Sequence, residues 1–167
     1  LGASHAQIPP ILYAKKKGYY VISCDQNAKS PGFRYCDKSY VVNTIDKKKV
    51  LEISKKQKIN GIVSYVSDAA SPTASYVSKK LNLDGFPIKA VNTLVNKNLF
   101  RAFLKKNKFN YPQFKTFSDV KKIDKYIKKI GYPFFIKPID SSGSKGVTKV
   151  ARKSLVKKAV AEALSYS

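Results

Sequence analysis

The sequence predicts an α/β protein, and three observations carry that prediction. Short β-rich runs alternate with amphipathic helical stretches at the spacing of βαβ units, which implies a parallel sheet. With 167 residues, 43% of them apolar, the chain can bury a core of its own, about 70% of the unfolded surface at this size. Cys24 and Cys36 stand apart with no second pair and one histidine, His5, so neither a disulfide framework nor a zinc site is supported; a reduced, cytoplasmic setting is expected. No apolar run approaches the roughly 18 residues of a membrane helix, and the opening LGASHAQIPP has no basic leader, so neither anchoring nor secretion is indicated. Methionine is absent, and the chain reads as a piece whose natural start lies upstream.

The elements follow in order. LGASHAQ reads as the tail of a strand turning into a helix, with Pro9 and Pro10 in a first turn that tolerates missing N–H groups. Lys15 to Lys17 carry favourable charge at that helix's end, and Gly18 is the expected stop. Tyr19 to Ser23 is β-rich and runs into Cys24 and Asp25; Ser39 to Val42 reads as a short strand. Asp46 to Lys58 reads as a helix with Val50 and Ile53 inward, Gly61 to Tyr65 as a strand, and Pro72 to Leu81 as a helix. Beyond Gly85, Phe86 and Pro87, Thr93 to Lys106 is helical by pattern, with Leu94, Leu99, Phe103 and Leu104 as its buried positions. Phe114 to Phe117 reads as a strand, and Ser118 as the N-cap of a helix bearing Ile123, Tyr126, Ile127 and Ile130 before Gly131. Tyr132 to Pro138 is an apolar strand carrying Lys137; the loop from Asp140 to Gly146 leads to a strand, Val147 to Val150, and a closing helix from Arg152 to about Leu164.

The charge is strongly positive, 33 Lys+Arg against 10 Asp+Glu, for a net +23. Only Arg34, Arg101 and Arg152 are arginine, whereas phosphate and base recognition favours the planar guanidinium. The lysine runs at 15–17 and 47–49 therefore read as solvated helix faces, and a nucleic-acid partner is disfavoured. Residues 1–88 hold 14 basic and 6 acidic residues, a net +8, and residues 89–167 hold 19 and 4, a net +15.

The segment GYPFFIKPIDSSGSKGVTKV holds the strongest chemical constellation. A lysine near the end of a buried strand is costly unless its ammonium meets an anion, and a Ser/Gly loop between two strands can turn several N–H groups toward phosphate oxygens. A plain hairpin with a polar tip and a snorkelling Lys137 is the competing reading. The loop is not a Walker A motif, since a strand follows it and no lysine-serine/threonine pair closes the glycine spacing.

These residues resemble the ATP-grasp superfamily, whose members commonly show GYP, an apolar strand, Lys-Pro and a Gly-Ser-x-Gly-Val loop. NTLVNKNLFRAFLKKNKFNYPQF is similar to the partner motif, an Asn/Asp-Lys opening a helix before a Pro-containing strand entry. SDAASPTASYVSKKLNLDGF resembles the end of the preceding domain in carbamoyl-phosphate synthetase large chains, and the whole is biotin carboxylase-like as well. The resemblance implies a Rossmann-like, parallel-sheet pre-ATP-grasp domain over 1–88, then the first, α+β, part of an ATP-grasp domain over 89–167.

By that resemblance Lys97 and Lys137 are the two basic contacts to ATP phosphates, and Ser142, Gly143, Ser144 and Gly146 belong to the flexible loop over the β and γ phosphates. The implied chemistry phosphorylates a small carboxylate to an acyl phosphate, which an amine or similar nucleophile attacks, with ATP and Mg2+ as cofactors. The resemblance places the magnesium-binding acids beyond the loop; after Lys137 the only carboxylates here are Asp140 and Glu162. The chain therefore reads as the front of a longer ligase that does not turn over alone. Ser4, His5 and Asp68 are candidates for the non-nucleotide substrate pocket, His5 being equally readable as a turn residue bonded to nearby backbone. Oligomeric state stays open, a homodimer included.

Two rivals remain. A nicotinamide oxidoreductase would use Gly2 to Gln7 as a dinucleotide turn and Asp25 as the ribose acid, yet Ser4 and Gln7 replace its second and third glycines. A basic nucleic-acid-binding module is the other.

Overall fold

The computed structural model describes residues 1–117 and 123–167; Ser118, expected as a helix cap, lies outside the described residues. The chain forms two compact units, Leu1–Val95 and Asn96–Ser167.

In the first unit, Ile8–Lys16 forms α1, with prolines in its first turn. Gly18 ends it in the left-handed region at φ +81°, where Tyr19 N–H reaches back to the Ala14 carbonyl at 3.1 Å. Ile22–Asp25 (β1) and Lys38–Val41 (β2) pair in parallel, Ile22 opposite Lys38 and Asp25 opposite Val41. The parallel sheet read from the sequence is therefore present. Residues 1–3 run along β1's other side: Gly2 N–H donates to the Cys24 carbonyl at 2.8 Å and the Ser23 hydroxyl donates to the Gly2 carbonyl at 2.9 Å. The Leu1 amino group donates to the Val63 carbonyl at 2.7 Å, which sets the segment around 61–65 beside residues 1–3. That segment is not a strand as expected, because this single bond is no ladder. Helix α2, Lys47–Lys56, starts where the Asp46 carboxylate accepts from Lys49 N–H at 3.1 Å. It buries Val50. Helix α3, Ser71–Leu81, buries Thr73, Ser75, Val77 and Ser78, and α4, Ile88–Val95, packs on it.

In the second unit, α5 is Lys97–Lys106 and α6 is Ile123–Ile130. Phe134–Ile136 (β3) and Thr148–Val150 (β4) form an antiparallel hairpin, Phe134 opposite Val150 and Ile136 opposite Thr148. A short 3-10 turn, Lys153–Leu155, leads into α7, Val156–Leu164. The core joins Ile127 of α6, Val150 of β4, and Val156, Ala159 and Val160 of α7, with Phe134 and Ile136 packed against it.

Three further expectations change. The helix expected over Thr93 to Lys106 is two helices, because Asn96 is extended (φ −97°, ψ 115°) and its side chain caps α5 by accepting from Leu99 N–H at 3.0 Å. Of the positions expected to be buried there, Leu94, Leu99 and Phe103 are exposed and Leu104 is half-buried; α5 buries none of its residues. Phe114 to Phe117 forms no strand among the described residues. An apolar run has strand character only when a neighbour supplies the ladder.

Candidate functional site

The second unit brings two of the sequence-predicted phosphate contacts to one loop. The Asn96 cap makes Lys97 the first residue of α5. Its N–H donates to the Ile139 carbonyl at 2.8 Å, and its ammonium donates to the Ser141 carbonyl. The Asn-Lys opening of the helix is thus docked on the start of the glycine-bearing loop, although the two segments are 44 residues apart in sequence.

Lys137 sits just past β3. The strand alternates, Phe134 and Ile136 half-buried and Phe135 exposed, and Lys137 continues the exposed phase. The strand is therefore not buried as read from the sequence, so no desolvated ammonium forces an anion there; Lys137 stands in water beside the loop. Ser142, Gly143 and Ser144 are exposed, while Gly146 is buried. Gly143, Ser144 and Gly146 all take the left-handed region at φ +63°, +59° and +66°. At Gly143 an added Cβ meets nothing within 4 Å, whereas at Gly146 it meets the Tyr166 ring at 2.9 Å. Glycine at 146 is required on both counts. Chemically, Lys97 and Lys137 both belong to the incoming end of a loop whose backbone can turn N–H groups outward, equipment suited to a polyphosphate.

The carboxylates nearby are engaged with hydroxyls. Asp140 accepts from Ser167 Oγ at 2.9 Å and Glu162 from Thr148 Oγ1 at 2.9 Å. Among the described residues no group of three or more His, Cys, Asp or Glu could hold a metal ion. Mg2+ therefore has no fitting cage in these residues.

In the first unit, Gln7 organises the turn. Its buried carboxamide oxygen accepts from Ser4 N–H at 3.0 Å and Ser4 Oγ at 2.6 Å, and its nitrogen donates to the Tyr65 carbonyl at 2.6 Å. Ser4 and His5 are exposed on this turn, and Asp68, also exposed, follows three residues after Tyr65. Among the described residues no hydrogen bond or ion pair joins Asp68 to Ser4 or His5. Asp25 is engaged at both oxygens: Oδ2 accepts from Ala3 N–H at 2.8 Å and Oδ1 from Asn27 N–H at 2.9 Å. It fastens the turn through these two amides.

The sequence marked Asn96 as part of an Asn-Lys helix opening and Gln7 as a replaced glycine, but not the bonds Gln7 makes or the Ser141 carbonyl. Asn96 had a signal, an Asn three residues before a helical leucine; a backbone carbonyl has none. Burial raises both thiols, Cys24 and Cys36, above the ordinary range, and both are free.

Residues 4–80 match the model of the PylC-like N-terminal domain. Over these residues the chain is similar to the PylC-like N-terminal domain of ATP-grasp ligases. The formate-dependent phosphoribosylglycinamide formyltransferase of Methanocella arvoryzae is 28% identical over 167 residues, covering 98% of this chain and 38% of the relative. Among solved structures, N5-carboxyaminoimidazole synthetase from Staphylococcus aureus complexed with ADP aligns at TM-score 0.81 and 19% identity, over 99% of this chain and 44% of that one. The biotin carboxylase domain dimer of Hydrogenobacter thermophilus 2-oxoglutarate carboxylase, in complex with MgADP, ADP and bicarbonate, aligns at TM-score 0.76 and 13% identity, over 98% and 40%. The α/β architecture is that of the N-terminal portions of ATP-grasp ligases. The chain spans about two fifths of the length of these relatives.

Proposed function

We propose that the whole protein carrying this chain is an ATP- and Mg2+-dependent ligase that activates a small carboxylate as an acyl phosphate for attack by an amine or similar nucleophile. The observation that carries this reading is the Lys97 ammonium held on the Ser141 carbonyl, at the root of the exposed Ser142–Lys145 tip, with Lys137 preceding Ser141 on the same incoming side. Lys97 and Lys137 contact the nucleotide phosphates, and Ser142, Gly143, Ser144 and Gly146 cover the β and γ positions. Each ammonium–phosphate hydrogen bond contributes about 1.5–3 kcal/mol.

A carboxylate oxygen attacks the γ phosphorus, the bond to the β–γ bridging oxygen breaks, and ADP departs. The nucleophile's nitrogen then attacks the acyl carbon, inorganic phosphate leaves, and the nitrogen loses a proton. A first domain, about residues 1–88, serves the non-nucleotide substrate through Ser4, His5 and Asp68, and the nucleotide domain opens near residue 89. Support for that division comes from the PylC-like match over 4–80 and from the Gln7 tie between the Ser4 turn and Tyr65. The setting is the cytoplasm, in keeping with two free thiols; among the described residues no helix is long and apolar enough to cross a membrane. A homodimer is carried with the reading, on the dimer described for the biotin carboxylase domain.

The test is chemical trapping. With MgATP, a panel of small carboxylates and hydroxylamine, the whole protein is expected to form an acyl hydroxamate and ADP in equal amounts. Release of AMP and pyrophosphate would mean an acyl adenylate and a different class of ligase.

A further inference from the structure

The glycine-bearing loop is fastened at both rims to one place, the last turn of α7 and the two residues that follow it. On the incoming rim, Pro138 is buried and the Asp140 carboxylate accepts from Ser167 Oγ at 2.9 Å. On the outgoing rim, Gly146 is buried, and a Cβ placed there would lie 2.9 Å from Tyr166 Cδ2 and 3.3 Å from Ala163 Cα. One residue past Val147, Thr148 Oγ1 donates to Glu162 of the same helix at 2.9 Å. Between these rims the chain is loosely held. Residues 142–145 are all exposed, and the two backbone bonds there, Lys145 N–H to Ser142 carbonyl and Val147 N–H to Ser144 carbonyl, are long at 3.4 and 3.3 Å. A Cβ at Gly143 would stand in open space. Fixed rims with a free tip make a hinged flap.

We infer that the end of α7 is the seat on which the Ser142–Lys145 tip swings, with Tyr166 as the positioning residue that holds the Gly146 hinge. The inference rests on the ligase reading above for what the tip covers, the terminal phosphates of ATP. Tyr166 is half exposed, at 50%, and stands outside the hydrophobic core of its unit. Its contact with Gly146 is made by a ring edge, so the hydroxyl is dispensable.

The experiment uses the whole protein and two nucleotide probes, MgATP and AMP, which lacks the phosphates the tip would cover. Tyr166→Ala is expected to weaken MgATP binding five- to twentyfold and to leave AMP binding unchanged, and Tyr166→Phe to bind both as the unaltered protein does. Gly146→Ala, whose Cβ collides with the same ring, is expected to show the same ATP-over-AMP loss. Without nucleotide, amide exchange at Gly146 and Val147 is expected to rise in Tyr166→Ala to the rates of residues 142–145. Equal losses for ATP and AMP, or full-strength MgATP binding in Tyr166→Ala, would overturn the seat while leaving the ligase reading in place. Failure of the unaltered protein to bind MgATP would instead overturn the ligase reading, and the seat's role in covering phosphates with it.

Discussion

A glutamine stands where a dinucleotide-binding turn would carry its third glycine, and the structure shows what it does there. Gln7 is 5% exposed and makes bonds to Ser4 N–H, Ser4 Oγ and the Tyr65 carbonyl. A Cβ on Gly2 would come within 3.1 Å of its side chain. The carboxamide therefore occupies the space that a third glycine would leave for close helix–strand packing. Gln7→Ala should lower unfolding stability by about 1–3 kcal/mol, because it leaves partly buried amide and carbonyl groups without partners; chemical denaturation checks this, and an unchanged midpoint would contradict it. At this scale the sequence was informative about charge and poor about partners. The family resemblance, rather than spacing, singles out Lys97 and Lys137 as proposed phosphate contacts. That Lys97 would be held by a backbone carbonyl, and that Asp25 would bond two amides, depends on distances no spacing encodes.

Among the elements, the helices were the most legible, since a repeat of three and four residues survives whatever packs against it. Ile123, Tyr126, Ile127 and Ile130 mark α6, and Ile127 is in the core. Strands at 61–65 and 114–117 were misread because a ladder is a property of two segments. The break at Asn96 is the most consequential local event, for it turns one helix into two and starts α5 at Lys97. The apolar pattern runs through it, which is why a single helix was expected. Asn96→Ala should remove the cap and cost about 1 kcal/mol; it should also weaken MgATP binding more than Asp46→Ala, which removes the comparable cap of α2 in the other unit. Equal effects of the two variants on nucleotide binding would mean that the start of α5 has no special part in the site.

At the scale of the molecule, the net charge of +23 is lopsided, with +8 over residues 1–88 and +15 over 89–167. The more positive segment contains the proposed phosphate site, and ATP is itself an anion, so charge and chemistry point the same way. The α/β class was readable from strand–helix alternation, whereas the change of character near Pro87 falls inside the first compact unit, which runs to Val95. The identity of the carboxylate was not readable, because selective groups sit on loops that no periodicity marks. A nucleic-acid module would show weak binding with a steep log–log salt slope and no ATP preference, and a dehydrogenase would bind NADH. The measurement that separates all three is equilibrium titration of MgATP into the whole protein, unaltered and as Lys137→Ala, with NADH as competitor. The ligase account predicts micromolar binding, about −8 kcal/mol, unaffected by NADH and at least tenfold weaker in Lys137→Ala, with unfolding stability changed by less than about 0.5 kcal/mol because Lys137 is exposed. Equal binding by both proteins, or displacement of ATP by NADH, would contradict it.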